Sequence, residues 1–465
     1  MRRIVIPVSA LALAACTTVG PDYRAPEAAS LAVPEAYAGP AGALPAQDLS
    51  LWWEQFDDPL LTRLIDEASA GNLDLAVSSA RLTQAREALV QARAGLVPQV
   101  GASAGAGRNF GPGDDNSNFN IGADASWEID LFGRLRRGVE AAGADAEGAW
   151  YDREALRTSI AAEVAANYII ARLTQDRLAI ARDTLAIADD NLQIAQWRVQ
   201  AGLASSLDSE QARSARASAA ASIPALETSF ASATYRLAVL TGRAPGTLTA
   251  ELTQAQPIPE GPEQIATGIP ADTLRQRPDV RSAERNLAAA TARVGVAEAQ
   301  LYPGFRLSGS IGTSAFSLGG LFEAITGSIL GGIDQTLFDG GRLRSQLRSQ
   351  QAATEGALAS YRQSVLAALE EVENALVDLQ SARQRQQQFA IALDAANNSA
   401  ILARIQYRSG LTDFQTLLTA ERTFLSARDG MAGSRGDEAQ ALVQLYRALG
   451  GGWDASAPPA TGVSS

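Results

Sequence analysis

The second half of this chain repeats the first at a shift of 208 residues. Gly133-Arg134-Leu135-Arg136 falls on Gly341-Arg342-Leu343-Arg344, Gly202-Leu203 on Gly410-Leu411, and Leu240-Thr241-Gly242 on Ala448-Leu449-Gly450. Upstream the shift is 205: Asn72-Leu73-Asp74-Leu75 meets Arg277-Pro278-Asp279-Val280, and Leu96-Val97-Pro98 meets Leu301-Tyr302-Pro303. Between Gly133 and Gly242 the match needs no gap. So little drift in length implies elements whose lengths geometry fixes, and a working unit built from copies of one module.

The elements can be read from periodicity. Residues 119 to 131 alternate seven apolar residues with six polar or glycine residues, the period of a strand with one greasy and one wet face. A weaker strand at about 99 to 110 precedes it, with turn chemistry from Gly111 to Asn116 between them. The second repeat carries strands at roughly 304 to 314 and 328 to 338. After each pair comes a proline-free stretch, 134 to 201 and 342 to 409. At 1.5 Å per residue each helix spans roughly 100 Å. Leu178, Ala181, Leu185, Ala188, Leu192, Ala195 and Val199 form a heptad seam of alternating large and small side chains, and Phe389, Leu393, Ala396, Ala400, Ala403 and Tyr407 keep its register. Glycine turns at Gly202 and Gly410 reverse each helix into a shorter one, 205 to 241 and 412 to 449, with a kink expected at Pro224.

The predicted organisation is a signal peptide at 1–15, an extended arm at 16–50 and a first repeat at 51–242. That repeat holds the strand pair 99–131 and the helical hairpin 133–241. A proline-rich linker or equatorial segment follows at 243–270. The second repeat occupies 271–450, with strand pair 304–338 and hairpin 340–449, and 451–465 reads as a disordered tail.

Arg2-Arg3 followed by the apolar run Ile4 to Ala15 is a secretory signal, and Leu13-Ala14-Ala15-Cys16 resembles a bacterial lipobox. That resemblance implies cleavage before Cys16 and lipidation of Cys16, with Thr17 in place of Asp favouring the outer membrane. The apolar run is too short to span a bilayer as a helix, which takes roughly 20 residues. The chain has no histidine and one cysteine, so no Ser-His-Asp arrangement exists and no catalytic, metal or cofactor residue can be named. A formal charge of −12 argues against nucleic acid.

Four amphipathic strands cannot close a barrel alone, because open edges are not tolerated in lipid and the smallest single-chain barrels have eight. The chain must therefore pool its strands with other copies. The fold class is mainly α with a membrane β-barrel portion: a coiled-coil-like helical tunnel plus four strands per protomer.

At this point the sequence resembles the TolC-type outer-membrane efflux factors, in their lipoprotein (NodT-type) subgroup. The matching segments are Cys16 with Val19-Gly20-Pro21-Asp22-Tyr23, then Trp52-Trp53 with Phe56 and Asp58-Pro59, Arg277-Pro278-Asp279-Val280 with Ala283-Glu284, and Leu449-Gly450-Gly451-Gly452-Trp453. The resemblance implies a homotrimer sharing a twelve-stranded outer-membrane barrel over a periplasmic tunnel. It implies a periplasmic adaptor (membrane fusion protein) and an inner-membrane pump of the resistance–nodulation–division (RND) type as partners. The implied work is passive exit of small molecules. Protein secretion through a type I system is the alternative, ahead of a lipid-anchored coiled-coil adaptor, which lacks a duplicated strand-pair-plus-hairpin unit.

By the same resemblance the tunnel closes at the hairpin tips, Gly202, Leu203, Gly410 and Leu411. Asp208 and Tyr407 match positions that latch neighbouring hairpins. The plain alternative is that Tyr407 fills its seam position while Asp208 caps the return helix. Acidic residues that often ring the tip are Thr416 and Thr419 here, leaving Asp413 as the nearby acid. Phe119, Trp127, Ile129 and Leu131 read as a lipid-facing stripe and interface anchors.

Overall fold

The computed structural model describes residues 18–27, 31, 33–38, 48–111, 116–262, 265 and 268–457. Cys16, the signal segment, the turn residues 112–115 and the end of the tail lie outside the described residues. The first repeat runs α1 (Pro59–Gly71), α2 (Leu73–Ala94), β1 (Gln99–Asn109), β2 (Asn116–Ile129), α3 (Arg134–Gln200) and α4 (Ser206–Leu240). Two short helices follow, α5 (Thr249–Leu252) and α6 (Pro270–Gln276). The second repeat runs α7 (Pro278–Ala299), β3 (Gly304–Ala315), β4 (Thr326–Asp334), α8 (Arg342–Arg408) and α9 (Phe414–Ala448).

The strands form one antiparallel sheet in the order β1-β2-β3-β4. The pair β2–β3 joins the repeats, from Phe119 opposite Ala315 to Ile129 opposite Phe305. Each hairpin keeps its own register, with Val100 opposite Ala125 and Phe305 opposite Ile333. Counterparts thus lie 205 residues apart for β1 and β3 and 208 apart for β2 and β4, the same two shifts that the sequence shows. Predicted and observed strands differ most at the end of β4, which stops at Asp334 rather than reaching 338. The reason is local: β3 begins at Gly304, opposite Asp334, so residues beyond Asp334 have no strand to pair with.

The helices α3 and α8 each run 67 residues without a break, roughly 100 Å. Their seam residues Ala181, Ala195, Ala396, Ala400, Ala403 and Tyr407 are buried, and Ala195, Ala403 and Tyr407 pack with Ala212, Phe414, Leu417 and Leu418 of the return helices. Pro224 does not interrupt α4, which is one helix from Ser206 to Leu240. The site is exposed, so water can reach the backbone carbonyl that proline leaves unpaired.

A girdle around the middle of the long helices holds the main core. Trp52 and Trp53 are buried there beside Tyr168, Ile169 and Tyr446, and Trp52 stacks on Tyr446 at 5.1 Å between ring centroids. Two sequence segments acquire a cause at this level. Asp58 caps α1 by accepting from Leu60 N (2.9 Å) and Leu61 N (3.1 Å), and its other oxygen accepts from the Tyr168 hydroxyl at 2.6 Å. Burial and that carboxylate push the Tyr168 phenol well above its usual range. Arg277 forks onto Asp279 at 3.0 and 2.6 Å and also donates to the Ala448 carbonyl at 2.9 Å, tying the start of α7 to the end of α9. The proline-rich segment after α4 contributes Leu248, Leu252 and Ile258 to this core.

The tail expectation needs correcting. Gly451 to Trp453 are buried, not disordered. Gly450 and Gly452 take left-handed backbone (φ 80° and 103°), which turns the chain back after α9. The Trp453 indole then donates to the Gln276 carbonyl at 2.9 Å and lies against Trp150 and the Arg281 guanidinium. Replacing Trp453→Ala should remove about 3–5 kcal/mol of packing. A lower guanidinium midpoint of the helical circular-dichroism signal would report it, and an unchanged midpoint would place Trp453 outside the core.

Candidate functional site

The sheet has two chemically opposed faces. The pairings put Val100, Ala102, Ala104 and Ala106 on one face with Phe119, Ile121, Ala123, Ala125, Trp127 and Ile129. Phe305, Leu307, Ile311, Ile329 and Ile333 share it. The opposite face carries Ser103, Asn120, Asp124, Ser126, Ser308, Ser310 and Ser328, with glycines between them. Ile311, Ile329 and Ile333 are 58%, 85% and 67% exposed in one chain, which water would not tolerate as a finished surface. This is a wall with an apolar outside and an inside of mostly short polar side chains and glycines, on which Glu128 and Arg306 are the long charged residues and Leu330, opposite Ser308, the apolar one. No helix among the described residues is long and apolar enough to cross a membrane.

Where sheet meets helices, charges replace the apolar stripe. Arg134 holds Glu128 at 2.7 Å, and Arg136 reaches Asp130 at 3.3 Å. The Trp127 indole donates to the Leu96 carbonyl at 3.0 Å, and Phe132 stacks on Tyr302 at 4.8 Å. The N-terminal arm is strapped to the same level. Val19 N donates to the Phe132 carbonyl at 3.1 Å. The buried Arg137 donates to the carbonyls of Val19 and Gly20, both at 3.2 Å, and pairs with Asp22 at 2.7 Å.

At the far end the two hairpin turns are built alike. Leu203 N reaches the Arg198 carbonyl and Leu411 N the Gln406 carbonyl, both at 2.8 Å, over Gly202 and Gly410 with φ 73°. This double closure uses the left-handed glycine to satisfy the last carbonyls of each long helix. Leu203 and Leu411 are 70% and 78% exposed. Ser205 then caps α4, and Asp413 caps α9 by accepting from Thr416 N at 2.7 Å, a bond that holds the Asp413 carboxyl below its usual range. Thr419 is exposed and bonds back to the Gln415 carbonyl.

Asp208 and Tyr407 do not meet within one chain. Asp208 sits in the first turn of α4 and has no side-chain partner among the described residues. Tyr407 is buried with Phe414, Leu417, Ala195 and Ala212, beneath the Arg198 guanidinium at 4.5 Å. Its hydroxyl is shut off from outside and has no hydrogen-bond partner among the described residues. A bond from Tyr407 to another chain therefore requires the ring to tilt out of this seat.

One cluster near the tip escaped the sequence reading. Glu421 is buried on α9, where Asn191 of α3 donates to one carboxylate oxygen and Arg404 of α8 donates to the other at 3.0 Å. The three residues resemble ordinary solvated helix positions in sequence, and only the packing of three helices unites them. Glu421→Ala should destabilise the lower hairpins by about 1–3 kcal/mol, because it leaves the buried Asn191 amide without its acceptor while Arg404 still reaches solvent. Faster proteolytic cutting near the tip than in wild type is the expected readout, and equal rates would count the cluster as energetically idle.

Comparison with known proteins agrees with this geometry. The family described as outer membrane efflux protein matches residues 64–243 and 269–451, one stretch per repeat. The pyoverdine export outer membrane protein OpmQ of Pseudomonas putida is 32% identical, covering 97% of this chain and 98% of the relative. Nodulation protein T of Rhizobium leguminosarum bv. viciae is also 32% identical, over 97% of this chain and 94% of the relative. Among solved structures, the outer-membrane channel OprN matches with TM-score 0.85 and 38% identity over 94% of this chain and 99% of that one. The open state of the Neisseria gonorrhoeae MtrE outer membrane channel matches with TM-score 0.83 and 27% identity over 94% and 98%.

Proposed function

This chain belongs to the outer membrane efflux protein family and is an outer-membrane efflux channel, and from that premise we propose the following assembly and mechanism. Three copies share a twelve-stranded barrel, and their paired long helices form a tunnel below it. The observation that carries the reading is the two-faced sheet with unpaired edges, mounted on helices roughly 100 Å long. The duct is passive: it supplies a walled path and no energy. A periplasmic adaptor and an inner-membrane pump of the RND type load it with small molecules. Lipid on Cys16 fits the same picture, because Val19, three residues on, is pinned beside Phe132 where the sheet ends. Changing Cys16→Ser should abolish labelling by radioactive palmitate and leave an inserted barrel. Labelling that survived the change would remove the anchor from the scheme.

The tip is the closing element in this reading. Neither Asp208 nor the Tyr407 hydroxyl has a side-chain partner among the described residues, and a contact between neighbouring hairpins would engage them once the Tyr407 ring tilts out of its buried seat. A phenol–carboxylate bond of net worth about 1–3 kcal/mol is weak enough to be broken by docking. Asp413, Thr416 and Thr419 stand beside it at the start of α9. Reconstituted in a planar bilayer, the Tyr407→Phe, Asp208→Ala double variant should conduct better than wild type with equal trimer stability. Equal conductance would leave Tyr407 as a seam filler and Asp208 as a first-turn helix stabiliser, and absence of any pore in wild type would overturn the duct.

A further inference from the structure

A few turns above the tip, three helices of one chain enclose a cavity of about 360 Å³. Ile187 of α3, Ala212, Ala215 and Ala219 of α4, and Leu418 and Leu425 of α9 form its apolar lining. The three alanines are spaced three and four residues apart and so share one face of α4. Their short side chains keep the space open. The helix α3 packs on both α4 and α9, so the cavity lies at the joint between the two hairpins and needs no second copy to form. Its volume falls in the lower part of the range for small-molecule sites, about 300–1,000 Å³.

The charges around the cavity do not cancel. Glu421 stands in its wall, but its carboxylate is met by Asn191 on one oxygen and by the Arg404 guanidinium on the other, at 3.0 Å. The next residue, Arg422, also lines the cavity, is exposed, and has no hydrogen-bond or ion-pair partner among the described residues. Acids on the adjoining turns of α3 are engaged elsewhere: Asp183 holds Arg428 at 3.2 Å and Asp189 holds Arg216. Asp190 lies off the cavity wall. Helix packing does not demand this set of charges. At a shift of 208 residues Glu421 and Arg422 fall on Arg213 and Ser214, Asn191 on Ser399, and Arg404 on Gln196. The hairpins repeat, and the charges do not.

We infer that this cavity binds a small amphipathic anion, its apolar body laid over the alanine face of α4 and its carboxylate held by Arg422. A planar guanidinium can fork onto both carboxylate oxygens, which fixes orientation as well as charge. A wholly apolar occupant would leave Arg422 without a partner. A cationic one would face Arg422 and Arg404 against the single carboxylate of Glu421. The inference stands apart from the shared barrel and from the latch at the tip, because every residue it uses belongs to one chain and neither Asp208 nor Tyr407 lines the cavity.

The test uses 2-naphthoate as probe and 2-naphthamide as its uncharged counterpart with the same rings. Titration calorimetry of the full-length protein in detergent, against a matched detergent blank, should show naphthoate binding saturably, one molecule per chain, and at least fivefold tighter than the amide. Arg422→Gln should weaken naphthoate at least fivefold and leave the amide within twofold. Arg422→Lys should recover part of that loss. Ala215→Leu or Ala219→Leu, each filling the cavity, should abolish binding of both. Equal losses of the two ligands in Arg422→Gln would overturn recognition of the anion. Undiminished naphthoate binding in both leucine variants would overturn the location. No saturable binding to wild type would overturn the site and leave the cavity to a side chain of a docked protein. Pore formation in a planar bilayer by the same preparations should match wild type, which keeps failure of this site apart from failure of the duct.

Discussion

Unpaired backbone groups on the outer strands are what everything else in this molecule answers to. A strand edge in hydrocarbon leaves N–H and C=O groups that no water can reach, each costing several kcal/mol. One chain supplies four strands and so two such edges. Duplication within the chain removes one seam from the problem by making it covalent. Association has to remove the rest. The shifts of 205 and 208 residues recur in the strand register, so the two hairpins of the sheet match in length as well as in pattern.

The helices inherit their length and composition from the same arrangement. A tunnel wall of many parallel helices needs close approach over its whole height. The alternation of leucine and alanine along 178–199, and of larger residues and alanine along 389–407, provides it. The girdle of Trp52, Trp53, Tyr168 and Tyr446 serves a different purpose. It fixes where along the helices the chain ends and the middle segment are tied, with Asp58 and Arg277 as the two polar knots. Below that level the hairpins are held by their seams and by a few buried polar contacts such as Glu421 with Arg404.

Much of this was legible from residues alone because it rests on period and repetition. The alternation of 119–131 gave a strand with the apolar face that the register confirms, and proline-free runs gave helices within a residue or two of their ends. What stayed hidden depended on contacts between distant segments. Gly451-Gly452-Trp453 reads as loose tail chemistry, yet the glycines are there to turn a tryptophan back under Gln276. The end of β4 was overestimated because Gln335 to Phe338 have strand-like composition, and only the start of β3 shows that they lack a partner. For the tip, the turns at Gly202 and Gly410 were plain, while the seat of Tyr407 beneath Arg198 required the fold.

The matching hairpin turns carry a mechanical consequence. Each is locked by the same pair of backbone bonds over one left-handed glycine and is followed at once by a side-chain cap on the return helix. Such a turn has almost no slack. Any widening at that end must be made by whole hairpins sliding and tilting as stiff rods pivoted at the girdle. A small rotation there is magnified by the length of the lever below it. A displacement imposed partway along an exposed hairpin then reaches its tip enlarged in proportion to the distance from the girdle, with the turn moving as the rigid end of a rod rather than as a lid.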